Sequence, residues 1–184
     1  MKYNGRAYEA VLARVQRRPP QALFHAALEV TAGGVRYVVE SAPIPDAFGA
    51  RDRGVVVEGP VGSRWAGRFR LFRYEVRCWP GGEIPDLAWA VDSPRRLSDD
   101  EAVAVRLLGA APSIPSLVWG RDELGAGDMW SSNGIVSWLL ARAGLDAAAI
   151  DPPAGGRAPG WRAGLVAAQT TGLPVRQRRR VSQR

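Results

Sequence analysis

Apolar side chains recur at Tyr8, Val11, Leu12 and Val15, the spacing that lines one face of an α-helix, and Arg17-Arg18-Pro19-Pro20 ends the pattern. An amphipathic N-terminal helix is predicted. Residues 23–30 and 35–40 read as two strands joined by Thr31-Ala32-Gly33-Gly34, whose glycines tolerate the positive φ of a tight turn. Further strands are predicted over 54–58 and 69–77, the latter stopped by Pro80-Gly81-Gly82. Ser98-Asp99-Asp100-Glu101 has the form of a capping box and starts a helix ending at Gly109. After a connection broken by Pro112 and Pro115, a second helix is predicted over 133–143, with Ile135, Val136, Trp138, Leu139 and Leu140 turned to a core and Gly144 closing it. A short last helix is expected over 161–168. The pattern as a whole predicts an α+β fold, with a largely antiparallel sheet packed against helices.

The bulk numbers narrow this picture. A chain of 184 residues with 46% apolar content can bury a real core and suits one domain, read here as residues 1–173, followed by a basic tail over 174–184. No stretch has the length of a membrane span or of a signal peptide core, so a cytoplasmic location is the expectation. Cys78 is the only cysteine and His25 the only histidine, so no internal disulfide forms and no Cys/His set holds a structural zinc. Neither a metal nor a cofactor is expected. Arg176, Arg178, Arg179, Arg180 and Arg184 supply most of a net charge of +7. Such a tail is either a solvated end or, through its arginines, a nucleic-acid contact.

The hairpin brings candidate chemistry together. In the register set by a symmetric turn on Ala32-Gly33, or by the four residues 31–34, His25 lies opposite Glu40, Glu29 opposite Arg36, and Leu28 opposite Tyr37. Directly opposed side chains have Cβ atoms about 4.5–5.5 Å apart, so the Glu40 carboxylate would orient the imidazole and raise its basicity. The plainer readings are a core histidine and a strand carboxylate neutralised by an arginine.

The segment Trp130-Ser131-Ser132-Asn133-Gly134 opens the second strong helix. Serines there ordinarily cap the helix by accepting from its free N–H groups, and Ser131 suits that role. A nucleophile at the same place gains from the partial positive charge of the helix start, whose N–H groups can hold an oxyanion, and Ser132 suits that role. Trp130 is a candidate wall for a substrate site, with Ser131 and Asn133 as further substrate contacts, although tryptophans more often fill cores. Cys78 has no helix start to activate it. Gly59-Pro60-Val61-Gly62-Ser63-Arg64 lacks the Gly-Lys-Ser/Thr ending of a phosphate-binding loop and reads as a turn.

These residues resemble a known family. In the NlpC-type cysteine peptidases and their circularly permuted relatives, the lecithin retinol acyltransferase-like proteins, the nucleophile begins a helix in a pattern similar to Asp-Cys-Ser-Gly-Leu-Val. This chain has Ser131-Ser132-Asn133-Gly134-Ile135-Val136. The permuted group carries its histidine on an earlier strand, followed across a hairpin by a second polar residue in a context similar to Val-Ile-His-Leu-Ala-Pro. Here the segment is Val38-Val39-Glu40-Ser41-Ala42-Pro43. The resemblance implies a circularly permuted, papain-like architecture and a hydrolase or acyltransferase acting on an amide or ester of a small-molecule, peptide or acyl substrate. It makes Ser132 the nucleophile in the family's cysteine position, His25 the base and Glu40 its orienter. A hydroxyl ionises far less readily than a thiol of pKa about 8.5, so such a serine works only if the histidine takes its proton. The alternatives are a catalytically inactive member of the fold that binds a ligand or protein partner, and a nucleic-acid-binding protein using the arginine tail.

Overall fold

The computed structural model describes residues 13, 14, 17, 19–43, 54–84, 87–91 and 94–170. The proposed N-terminal helix falls largely outside these residues, and the arginine tail falls wholly outside them. The rest is α+β. Strands β1 (Ala22–Leu23), β2 (Leu28–Ala32), β3 (Val35–Pro43), β4 (Val55–Pro60), β5 (Arg73–Pro80) and β6 (Gly156–Arg157) are joined by helices α1 (Glu101–Ala110), α2 (Ser132–Arg142) and α3 (Trp161–Thr170). The main sheet has the order β2-β3-β5-β4 with every pair antiparallel, while β1 and β6 form a separate parallel pair.

The hairpin turn is Gly33-Gly34, both at positive φ, which lets Ala32 pair with Val35. This differs by two residues from the expected register: Val30 faces Tyr37, Leu28 faces Val39, and Thr31 faces Arg36. Two consecutive glycines relieve the left-handed conformation at both central positions, so the tightest turn forms there. Glu29 and Arg36 still meet at 2.6 Å, as a diagonal pair. The expected first strand is also interrupted. Phe24 to Ala27 leave the sheet between β1 and β2, and His25 lies in that break. In the observed register Glu40 is therefore not set opposite His25; across from it on β5 lies Arg77.

Alternation along the strands separates the two sheet faces. Leu28, Val30, Val39, Tyr74 and Val76 share a core with α2, whose residues from Ser132 to Leu140 are all buried. A helix covered on every side needs no solvated polar face, and its polar side chains Ser132, Asn133 and Ser137 are each hydrogen-bonded within the protein. Glu40, Glu75 and Arg77 alternate onto the opposite face. There Arg77 Nε donates to Glu75 Oε1 at 2.5 Å, and its guanidinium stands 3.6 Å from Glu40. α1 starts at Asp100, whose carboxylate accepts from the Ala102 N–H, while Glu101 reaches across to the Gly33 N–H of the hairpin turn. The capping residue is thus Asp100 rather than Ser98, and the Glu101 carboxylate ties helix to hairpin.

Tyr74 is the polar pin of this core. Its hydroxyl donates to the Leu117 carbonyl and accepts from the Trp130 indole N–H at 3.0 Å. Burial pushes its phenol up to about 12, against the opposing pull of the Trp130 hydrogen bond. The phenol of the unfolded chain ionises near 10, so this contribution is complete below about pH 10 and is lost as pH rises towards 12. Tyr74→Phe leaves a buried indole N–H without its acceptor and is expected to cost about 1–3 kcal/mol in chemical denaturation at neutral pH. Above pH 10 that gap should narrow, because only the wild type still has the phenol to ionise; a gap independent of pH would contradict the assignment.

Candidate active site

Ser132 is the first residue of α2 and lies directly after its cap. Ser131 is extended, its hydroxyl accepts from the Asn133 N–H at 3.2 Å, and the same hydroxyl donates to the Pro159 carbonyl at 2.7 Å. With Ser131 holding the cap, the Ser132 hydroxyl is released from that duty. It meets Nδ1 of His25 at 2.6 Å, across a sequence separation of 107 residues. For the imidazole to accept from this hydroxyl, Nδ1 must be unprotonated and the ring proton must sit on Nε2.

Asn133 fixes the histidine to the helix start. Its side-chain oxygen accepts from the Ala26 N–H at 2.9 Å, and its amide nitrogen donates to the Phe24 carbonyl at 2.9 Å and the Pro159 carbonyl at 3.0 Å. The clamp grips the backbone on both sides of His25, exactly where the strand is broken. A broken strand exposes backbone groups that the sheet no longer pairs, and a carboxamide carries both the acceptor and the donors they need. A third segment completes the frame: both carboxylate oxygens of Asp128 accept from the Gly160 N–H at 2.8 Å, and one also accepts from the Arg162 N–H at 3.1 Å. Asp128 thereby holds the Pro159-Gly160 turn that receives Ser131 and Asn133.

The N–H groups of Ser132 and Gly134 meet no acceptor among the described residues, as the geometry of a first helical turn dictates. Ser132 is 6% exposed, whereas His25 is open to solvent. An open groove of about 1320 Å³ is lined by His25 and Asn133 but not by Ser132, with Phe24, Leu107, Val136, Leu140, Ile150 and Trp161 among its apolar lining.

The structure therefore brings Ser132, His25, Ser131 and Asn133 together. Glu40 lies on the sheet face turned away from α2, beside Arg77. Trp130 is 1% exposed and belongs to the core through its bond to Tyr74, so its ring forms the support beneath the helix start rather than a wall of the groove. Cys78 lies within β5 opposite Val39, and burial pushes its thiol up, away from the thiolate a nucleophile requires. Sequence reasoning missed Asp128 and the Pro159-Gly160 turn; a Pro-Gly pair directly before a helical pattern was the one available signal. Among the described residues no cluster of His, Cys, Asp and Glu is able to hold a metal ion, and no helix is long and apolar enough to cross a membrane. A scan of protein-family models and searches of curated proteins and of solved structures return no match to this chain.

Asn133→Asp replaces the two donated bonds with a carboxylate facing two carbonyl oxygens while keeping the side chain's size. It is expected to loosen the His25 segment and to lower serine-probe labelling by about 10²-fold, with the chain still folded. Labelling at the wild-type rate would show that the clamp does not position the histidine.

Proposed function

We propose that the chain is a serine-dependent hydrolase or acyltransferase of circularly permuted, papain-like type, acting on an amide or ester bond. The observation that carries this reading is the 2.6 Å contact between Ser132 Oγ and His25 Nδ1 at the start of a buried helix. The order of the pair in the chain, histidine first and nucleophile later, and the antiparallel sheet beside the helix support the permuted arrangement. Ser132 Oγ attacks the carbonyl carbon as His25 Nδ1 takes its proton. The N–H groups of the first turn of α2 receive the developing oxyanion, aided by the positive end of the helix. Collapse forms an acyl-serine, and His25 returns the proton to the departing amine or alcohol. Water then releases the acyl group as an acid, or an acceptor amine or alcohol carries it away. Asn133 is the positioning residue, because it holds the imidazole through the backbone on either side. The apolar lining of the groove favours a substrate with an acyl or other apolar portion.

A fluorophosphonate probe tests the proposal. It should label the wild type and leave Ser132→Ala and His25→Ala unlabelled, with mass spectrometry locating the adduct on Ser132. An adduct on another residue, or none on a folded wild-type chain, would refute it.

A further inference from the structure

The connection between β4 and β5 is unlike the rest of the surface. Residues 61–72 contain Arg64, Trp65, Arg68, Phe69, Arg70, Leu71 and Phe72, with no acidic residue. Trp65 is 65% exposed, Phe69 54%, Leu71 84% and Phe72 45%. Their exposure does not come from a slack chain. The segment makes two consecutive 3-10 turns, Ala66–Arg68 and Arg70–Phe72, and is closed by backbone bonds from Gly67 to Ser63, Arg68 to Trp65, Phe69 to Ala66, Phe72 to Phe69 and Val61 to Phe72. Trp65 and Phe69 stack edge to face at 5.8 Å. Its ends are anchored by ion pairs of Arg64 with Glu123 and of Arg73 with Glu58. Arg68 and Arg70, between those anchors, face no acid among the described residues. The Gly62 N–H also bonds to Trp119, which pairs with Trp130 two residues before Ser132, so the loop is joined to the segment that carries the site.

An ordered loop that holds four large apolar side chains in water bears a standing cost, and such patches mark interaction surfaces. We propose that this loop docks on an anionic phospholipid surface. Aromatic rings and a leucine interleaved with arginines suit the boundary between headgroups and acyl chains: the rings and Leu71 enter the apolar layer, while Arg68 and Arg70 stay at phosphate level. A positive segment lacking any acid complements a negative leaflet, and it offers no negative charge to an interface with another basic copy of this chain.

Flotation of the full-length protein with phosphatidylcholine vesicles, with and without phosphatidylserine, tests the proposal. The wild type should float only with phosphatidylserine present, and less at high salt. Trp65→Ser combined with Leu71→Ser should weaken flotation about ten-fold by removing apolar burial. Arg68→Gln combined with Arg70→Gln should weaken it by a similar factor of about ten. Val105→Ser, which removes an exposed apolar side chain from α1, should change nothing. No binding by the wild type overturns the proposal, as does unchanged binding by both loop pairs, including the case in which replacing Arg178, Arg179 and Arg180 abolishes it instead. It is also overturned if the loop pairs abolish self-association or retention on duplex RNA while leaving flotation intact.

Discussion

Ser132→Ala is expected to lower fluorophosphonate labelling and turnover of an activated aryl ester by at least about 10³-fold, with little change in unfolding temperature. The hydroxyl removed is not the helix cap, since Ser131 makes that bond and the bond to Pro159. Its own partner is His25. His25→Ala should cause a loss of the same order, and the double variant should lose no more than either single one, because nucleophile and base act as a unit. Additive losses would mean that the two groups work independently. Ser132→Cys sharpens the comparison. A thiol at a helix start beside an imidazole is expected to ionise below its ordinary pKa of about 8.5 and to react rapidly with iodoacetamide. Alkylation of that variant no faster than that of the half-buried Cys78, whose thiol burial pushes up, would contradict the proposed environment. Retention of full ester turnover by Ser132→Ala would remove Ser132 from the chemistry altogether.

What could be read from the sequence follows from how local each determinant is. The helices at Ser132–Arg142 and Trp161–Thr170 announce themselves by apolar spacing, and their limits fall within a residue or two of the expected ones. The start of α2 was legible for the same reason: a serine pair followed by an apolar run is a local signal. The hairpin was legible as a hairpin, but its register was not. Three placements of a tight turn fit Thr31-Ala32-Gly33-Gly34, and only the preference of a two-residue turn for two left-handed residues selects Gly33-Gly34. That shift takes Glu40 out of register with His25, while Arg77 flanks it from the other side, on β5. His25 lay beyond local reasoning as well, because its segment leaves the sheet to be held by Asn133 from more than 100 residues away. The contact of His25 with Ser132 is a product of that clamp, and no spacing along the chain encodes it.

The same long-range frame leaves no room for a side chain at Gly164. A Cβ at Gly164 would stand 2.0 Å from the carbonyl oxygen of Gly134 and 2.1 Å from the Ser137 hydroxyl, so α3 would have to move away from α2. A backbone oxygen cannot swing aside as a side chain can. Ser137 is itself held, its hydroxyl donating to the Trp161 carbonyl at 2.7 Å. Gly164→Ala is therefore expected to cost about 3 kcal/mol or more, despite the higher helix propensity of alanine. For a chain of this size that lowers the unfolding temperature by roughly 6–12 °C. Gly109→Ala provides the opposite case. It lies exposed within α1 with open space around its added Cβ, so the same substitution should stabilise by about 0.5–1 kcal/mol through propensity alone. Opposite signs at the two glycines in thermal unfolding would attribute the first cost to the contact between α2 and α3; stabilisation at both would mean that the helices do not approach this closely. Displacement of α3 also carries the Pro159-Gly160 turn away from Ser131 and Asn133, so Gly164→Ala should lose serine-probe labelling even at temperatures where it remains folded, linking the packing of two helices to the alignment of the Ser132–His25 pair.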